Sequence, residues 1–286
     1  MKRLSEHVFA ETEFQWANVG GVVTDDGVVL IDCPVRPTDS QRWQSSLRPL
    51  SPLGIRYLIS TDFHGDHATG SSFVKGVTFI APQIVYEKIA GNYAFSKKSF
   101  IEALRDQGHT EEAARIAEAV IPLPKICFED SLILHLPPLT FEIRRMGGHT
   151  PACSVVYIPE ERVIFTSDVL MDSPNPGMRE ANVGQWLKAL DWIEGLPVDR
   201  IVPGHGEIGG KEIIPKLKGY LSGIRETMQR QVQAGKAKQE AITDSSFDKF
   251  LSVDQSQGSY WAQYRKDNFR VGLATLYDEV KGEQGT

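Results

Sequence analysis

The chain is poor in cysteine, has no long apolar run and carries no excess of basic residues. Its three cysteines, Cys33, Cys127 and Cys153, are an odd number at unrelated spacings. This favours free structural thiols over a disulfide framework or a zinc knuckle. Apolar runs such as residues 28–31 fall far short of the about 18 to 20 residues that a membrane-spanning helix needs. We therefore expect no membrane span.

The charge balance and the N-terminus narrow the function classes further. Thirty-one Lys and Arg residues against 37 Asp and Glu residues give a formal net charge of −6, which provides no overall attraction for a phosphate backbone. We therefore expect a small-molecule substrate and no nucleic-acid partner. The first residues contain no continuous apolar segment and no small-residue cleavage site, which predicts a cytoplasmic protein. The oligomeric state is left open.

The order of the elements predicts the fold class. Short β-rich runs are separated by turn residues, and helical patterns interrupt and follow the β-rich segments. The β-rich runs include residues 8–14, 16–24, 126–128, 154–158 and 200–202. Two β-rich halves flanked by helices predict an α+β protein, a four-layered αββα sandwich of two mixed β-sheets. Residues 1–210 are expected to form this domain, with a helical insertion at about residues 83–120. A helical extension at residues 211–286 is expected to pack on the same domain.

Aromatic residues in the two helical segments are expected to pack those segments onto the sandwich. In the insertion and the extension they are Tyr93, Phe95, Phe100, Trp261, Tyr264 and Phe269. An apolar substrate pocket is the alternative for the three in the insertion.

Four of the seven histidines lie in loops that follow predicted strands. The first of these loops, residues 60–67, reads Ser-Thr-Asp-Phe-His-Gly-Asp-His and places four potential metal ligands within six residues. Imidazole suits zinc, iron and nickel, and a carboxylate is a hard anionic ligand that can also bridge two ions. The density of these residues predicts a metal site and allows two ions.

Three further candidates follow other strands. They are His149 after Gly-Gly, Asp168 after Thr-Ser, and His205 between two glycines. A single His or Asp in a loop is usually a cap or a solvated side chain, but seven side chains of ligand type in four loops are not explained in that way. In order and spacing the motifs resemble those of the metallo-β-lactamase superfamily, over roughly residues 16–207.

The resemblance implies the roles of individual residues. A first metal site would contain His64 and His149, a second would contain Asp66, His67 and His205, and Asp168 would bridge the two. It implies two divalent ions, most often zinc, with iron or manganese as alternatives. Asp66 would also be catalytic, by orienting the nucleophile and passing on its proton. Asp32 matches a position where the family often has an Asp that contacts a metal ligand without binding the metal itself. A turn or cap role for Asp32 is equally open.

Asp62 stands where the family most often has the first histidine of the loop. If its carboxylate coordinates, the first site is harder and more anionic and accepts iron or manganese as well as zinc. If it does not reach the ion, the protein holds only one metal firmly. We include Asp62 among the predicted ligands.

The resemblance implies a zinc-type metal-dependent hydrolase in which a metal-bound hydroxide attacks a small carbonyl substrate, namely an ester, thioester, lactone or β-lactam. The sequence contains neither a serine nucleophile elbow nor a Walker loop. Two alternatives stay open because one scaffold serves many reactions. One is a phosphodiesterase or nuclease, and the other is a catalytically weak metal or ligand sensor.

Overall fold

Every strand of the first sheet pairs with its neighbours in sequence. Its seven strands are β1 (Lys2–Arg3), β2 (Val8–Glu11), β3 (Val19–Thr24), β4 (Gly27–Ile31), β5 (Ile55–Ile59), β6 (Thr78–Pro82) and β7 (Ile126–Phe128). β1 to β4 are antiparallel, whereas β4 to β7 are parallel. Parallel neighbours need a crossover between them, and these crossovers carry the first candidate loop and the helical insertion.

The second sheet has five strands in the order β12-β11-β10-β9-β8. They are β8 (Ser131–Leu136), β9 (Leu139–Arg145), β10 (Ser154–Ile158), β11 (Val163–Phe165) and β12 (Arg200–Val202). All neighbours are antiparallel except β11 and β12, which are parallel because a helical crossover joins them. Both sheets are therefore mixed.

The computed structural model describes residues 1–91, 97–173, 175–252 and 259–283, with residues 259–264 described by their backbone alone. Its helices are α1 (Pro37–Leu47), α2 (Gly65–Ala68), α3 (Gln83–Ala90), α4 (Lys97–Asp106), α5 (Thr110–Glu118), α6 (Val183–Gly195), α7 (Ile214–Gln233), α8 (Lys238–Ala241) and α9 (Ser259–Glu283). No helix in this part of the chain is both long and apolar enough to cross a membrane.

Three apolar layers hold the elements together. The two sheets face each other across a core that contains Phe141 and Phe165. Trp43 of α1 packs with the outer face of the first sheet, and Trp186 of α6 and Leu221 of α7 pack with the outer face of the second. The prediction of two mixed sheets between helices is confirmed.

The helical insertion comprises α3, α4 and α5 and lies between β6 and β7. Phe100 of α4 is buried, and its ring centroid lies 4.9 Å from that of Trp16. Phe100 therefore packs the insertion onto the sandwich, as predicted. Tyr93 and Phe95 fall outside the described residues, and so do the side chains of Trp261 and Tyr264. The division of the chain at residue 210 stays a prediction.

Strands β2 and β3 are shorter than predicted. β2 ends at Glu11, whose carboxylate accepts hydrogen bonds from the backbone N–H groups of Thr12 and Glu13. β3 begins at Val19, because Trp16 has a φ of 80° and a left-handed residue cannot continue a strand. The three cysteines are free, and Cys33 and Cys153 are buried, as predicted.

Candidate metal centre

Loops that follow four different strands converge at one edge of the sandwich. The first loop follows β5 and runs into α2, which begins directly after His64. His149 follows β9, Asp168 lies in a short 3-10 turn after β11, and His205 follows β12. Two sheets and four loops therefore supply one group of side chains.

Glycines allow these loops to approach each other. A Cβ atom on Gly204 would lie 2.1 Å from Oδ1 of Asp168, so no larger residue fits beside that carboxylate. Gly148 has a φ of 94°, and a Cβ there would lie 2.8 Å from the Cα atom of Trp186. Glycine alone adopts such a backbone without strain, which explains why glycines flank these histidines.

The first cluster consists of His64, His149 and Asp168. Nδ1 of His64 lies 3.1 Å from Nε2 of His149. The same Nε2 atom lies 3.3 Å from Oδ2 of Asp168. Two imidazole nitrogens and one carboxylate oxygen thus point at a common position.

The second cluster consists of Asp66, His67, Asp168 and His205. Oδ1 of Asp168 lies 3.4 Å from Nε2 of His67 and 3.3 Å from Nε2 of His205. Nε2 of His205 also lies 3.2 Å from Oδ2 of Asp66. Asp168 therefore offers one oxygen to each cluster.

Each of the four imidazoles makes a hydrogen bond with its other ring nitrogen, directed away from the clusters. Nδ1 of His67 contacts Oδ2 of Asp32 at 2.8 Å, and Nε2 of His64 contacts Oε2 of Glu180 at 3.1 Å. His149 and His205 use Nδ1 to contact backbone carbonyl oxygens, at 2.9 Å and 3.2 Å, those of Gly177 and Trp16 respectively. The acceptor holds the imidazole proton on the ring nitrogen that points away from the cluster. The other ring nitrogen, which points into the cluster, then has a lone pair that can bind a metal ion.

The surroundings of two buried atoms inside the clusters indicate whether a metal ion fits there. Nε2 of His67 and Oδ1 of Asp168 are buried, and neither has a hydrogen-bond partner among the described residues. A buried polar atom left unpaired costs about 1 to 3 kcal/mol. A cation between them would satisfy both atoms. Nitrogen and carboxylate oxygen in this proportion are ligands that zinc accepts, so the residues present fit a metal ion.

Charge within the clusters favours cations. Burial lowers the pKa of His64, but the charge of Asp62 and the hydrogen bond to Glu180 outweigh it and raise the pKa to about 9. Burial also lowers the pKa of His205, yet Asp168 and Asp66 raise it to about 10.

The pKa values of three further cluster groups depend on burial and on the nearest charges. Burial lowers the pKa of His67, but the charges of Asp32 and Asp168 raise it well above its ordinary value. The pKa of His149 is lowered, mainly by burial. Burial raises the pKa of the Asp168 carboxyl, but the charges of His205 and His67 hold it well below its usual range. The ionised carboxylates thus attract positive charge, which a divalent ion supplies in place of protons.

The structure does not bring Asp62 into either cluster. Its side chain is fully buried. Oδ1 accepts a hydrogen bond from the backbone N–H of His64 at 3.2 Å, and Oδ2 accepts one from the Thr150 hydroxyl at 2.8 Å. The carboxylate therefore ties the loop that carries His64 to the loop that carries His149.

A cavity of about 550 Å³ opens in front of both clusters. Its floor is formed by cluster residues, and one wall is formed by the segment that follows Asp168. Arg265, Asn268 and Phe269 of α9 complete the opposite side. The cavity is large enough for a small organic molecule.

Sequence reasoning missed several contributors to the site. The Glu180 side chain belongs to no motif. The carbonyl groups of Gly177 and Trp16 are backbone groups, which leave no trace in residue identity. The turn residues of segment 171–179 indicate a simple connector more than a loop that touches substrate. The contribution of α9 to the cavity had no sequence signal, because it depends on how the extension folds back.

Comparison with known proteins identifies the family. The family model of the metallo-beta-lactamase superfamily matches residues 17–205, well over half of the chain. The chain is 24% identical over 236 residues to a metallo-beta-lactamase type 2 of Bacteroides fragilis, covering 77% of this chain and 84% of the relative. It is 22% identical over 221 residues to a linear primary-alkylsulfatase of a Pseudomonas species, covering 67% of this chain and 42% of that longer protein.

A metallo-beta-lactamase family protein from Thermus thermophilus shares the fold. Its solved structure superposes with a TM-score of 0.67 at 18% identity and covers 98% of this chain and 94% of its own. The likeness therefore includes the C-terminal helices, which lie beyond the residues that the family model matches. The chain therefore belongs to the metallo-beta-lactamase superfamily, which indicates that it is an enzyme that catalyses metal-dependent hydrolysis.

Proposed function

We propose that the protein is a binuclear metallohydrolase of a small carbonyl substrate, namely an ester, thioester, lactone or β-lactam. The observation that carries this proposal is the pair of ligand clusters that share Asp168 at the floor of one open cavity. A cavity of this volume suits a small molecule, and the formal charge of −6 offers no general attraction for nucleic acid.

The two clusters would hold two divalent ions. His64 and His149 would hold the first, Asp66, His67 and His205 would hold the second, and Asp168 would contact both. Zinc suits this mixture of imidazole and carboxylate best, and iron or manganese are the alternatives. Bound there, a divalent ion polarises a carbonyl oxygen and makes hydroxide available near neutral pH.

Asp66 is the proposed catalytic residue. Its carboxylate lies at the cavity floor, and Oδ2 lies 3.2 Å from Nε2 of His205. Burial raises the pKa of Asp66, but the neighbouring His67 and His205 lower it below the ordinary value of a carboxyl group. An ionised carboxylate at that position accepts a hydrogen bond from the attacking water. It can take up the proton of that water and pass it to the leaving group.

The cavity walls indicate a substrate with both apolar and polar parts. Met171, Pro176 and Phe269 contribute apolar side chains, whereas Asn175 and Arg265 contribute polar ones. We expect the scissile carbonyl to face the clusters and the rest of the substrate to contact these walls.

Metal analysis and a substrate panel test the proposal. Protein purified without added metal is analysed by mass spectrometry, reconstituted with zinc and assayed with chromogenic esters, thioesters, lactones and a cephalosporin. We expect about two metal ions per chain and turnover of at least one member of the panel. Bis(4-nitrophenyl) phosphate is included in the panel. If it is the only compound cleaved, the substrate is a phosphodiester and not a carbonyl compound.

A matched pair of variants provides the control. Asp168→Asn removes the shared ligand, whereas Asp191→Asn removes an exposed carboxylate that pairs with Lys218 at 2.6 Å and does not line the cavity. Activity should be lost only in the first variant. A metal-loaded protein inert on every substrate would contradict the hydrolase proposal, and a gain of turnover in Asp62→His would then favour the sensor alternative.

A further inference from the structure

The loop that follows Asp168 holds both imidazoles of the first cluster. We call residues 175–182 the pocket loop. The Gly177 carbonyl oxygen contacts Nδ1 of His149 at 2.9 Å, and Oε2 of Glu180 contacts Nε2 of His64 at 3.1 Å. Both contacts orient the ring so that its other nitrogen points into the cluster. The position of the pocket loop therefore sets the direction of two of the three ligands.

The opposite side of the pocket loop packs against α9. Nη2 of Arg179 donates a hydrogen bond to Oδ1 of Asn268 at 2.7 Å, and the Thr275 hydroxyl donates one to the Arg179 carbonyl at 2.9 Å. Between these contacts, Gly272 approaches Met178 so closely that a Cβ atom on Gly272 would lie 2.8 Å from Cβ of Met178. α9 therefore fits the pocket loop without room for one additional carbon.

α9 also holds the end of the pocket loop. The Glu279 carboxylate accepts hydrogen bonds from the backbone N–H groups of Val183 and Gly184, both at 2.7 Å. These N–H groups belong to the first turn of α6, where the helix itself provides no acceptor for them. The helix dipole also favours a carboxylate at this end. The contacts of α9 thus extend from Arg179 to the start of α6.

We propose that α9 is a positioning element of the metal centre, which holds the pocket loop and thereby sets the affinity of the first cluster for its ion. The inference rests on the metal centre proposed above, and it assigns a role to residues beyond the family match. The second cluster depends on α9 less, because His67 and His205 are oriented by Asp32 and Trp16, which lie in other parts of the chain.

Two glycines of α9 give a matched test. Gly272→Ala places a methyl group against Cβ of Met178 and forces the pocket loop to shift. Gly282→Ala makes the same substitution in the same helix, where no described residue beyond the neighbouring helix backbone lies within 4 Å of the added Cβ atom. Alanine favours the helix over glycine at both positions, so a difference between the variants reports the contact with the loop.

The readout is zinc binding, measured by competition with a chromogenic chelator, together with the absorption spectrum of the cobalt-substituted protein. We expect Gly272→Ala to bind one of its two zinc ions about tenfold more weakly or worse, which is the usual cost of a lost partner of a metal ligand. Gly282→Ala should match the wild type. His149→Ala gives the reference spectrum for loss of the first cluster alone, and Gly272→Ala should shift toward it.

A milder variant covers the case in which Gly272→Ala does not fold. Thr275→Val removes the hydrogen bond to the Arg179 carbonyl at nearly unchanged volume, and it should weaken the same zinc ion. Unchanged zinc affinity in the folded variants, or equal weakening of both ions, would overturn the inference. A wild type that binds fewer than two ions would also overturn it. A wild type that binds two ions and hydrolyses nothing would leave the inference intact and contradict the proposed function.

Discussion

At the scale of single residues, Asp168 has the greatest influence on the site. Its two oxygens face different clusters, and burial removes the solvent that would otherwise stabilise either charge. A change at this residue therefore acts on both clusters at once, whereas a change at any imidazole acts on one.

We predict that Asp168→Asn loses both metal ions. The amide carries no negative charge and has one acceptor oxygen where the carboxylate has two. The loss of metal affinity should exceed the about 10- to 100-fold that follows removal of a partner of a ligand. Metal content after dialysis, measured by mass spectrometry, checks this. Retention of two ions per chain would show that Asp168 does not contact both.

For Asp62 we predict the opposite result. Both of its oxygens already accept hydrogen bonds, from His64 and Thr150, so Asp62→Asn should retain its metal ions while losing stability. The expected cost is about 1 to 3 kcal/mol, because the amide cannot accept both bonds. Metal analysis combined with urea denaturation separates the two effects. Loss of one ion at unchanged stability would establish Asp62 as a ligand.

The residues of the site could be predicted from sequence to the extent that their chemistry is local. His64, Asp66, His67, His149, Asp168 and His205 converge as the motifs indicated. The orientation of Asp62 could not be predicted, because it depends on a hydroxyl 88 residues away. Whether the converged residues bind metal stays a prediction until metal content is measured.

At the scale of elements, one buried carboxylate joins the helical insertion to α1. Glu112 of α5 accepts hydrogen bonds from the Arg36 side chain at 2.5 Å and from the backbone N–H of Thr38 at 3.1 Å. Burial raises the pKa of Glu112, but the bonds to Thr38 and Arg36 outweigh this and lower it. The ionised form is therefore favoured by folding.

We predict that Glu112→Gln destabilises the protein at pH 7 by about 1 to 3 kcal/mol. A lowered pKa stabilises the fold above the unfolded value, here 4.5, and this contribution disappears as the pH falls through the folded value. The difference between variant and wild type should therefore shrink below about pH 4.5. Urea denaturation at pH 7 and pH 4 measures both differences, and a constant difference would contradict the assignment.

Helices and strands were predicted from sequence where their patterns were continuous. β7, β10 and β12 have the predicted bounds. β1 was not predicted, because two residues paired at a sheet edge leave no periodic pattern. The end of β2 was predicted wrongly because the Glu11 carboxylate accepts bonds from the next two backbone N–H groups. The start of β3 was predicted wrongly because Trp16 has a left-handed backbone, which its residue type does not indicate.

At the scale of the whole molecule, the site is assembled from distant parts of the chain. We predict that zinc raises the midpoint of thermal unfolding by several degrees, since a ligand at about 100 times its dissociation constant adds about 2.7 kcal/mol. Addition of a chelator should reverse the shift. A midpoint that is independent of zinc and chelator would contradict binding to the folded state.

The shift should increase with pH. The pKa values of His64 and His205, about 9 and about 10, mean that both imidazoles carry protons at neutral pH, and these protons must leave before zinc binds. The raised values stabilise the metal-free fold below the unfolded value of 6.5, and this contribution is lost as the pH rises through 9 to 10. Thermal unfolding at pH 6 and pH 8, with and without zinc, measures the change.

The sharing of Asp168 has a consequence for synthesis on the ribosome. Three of the four imidazoles are translated before residue 168, yet neither cluster is complete without that carboxylate. A nascent chain can therefore pair the strands of its first sheet, each with the strand translated just before it, without forming a complete binding site. Chains that terminate before residue 168 are therefore expected to bind metal ions more weakly than the complete chain.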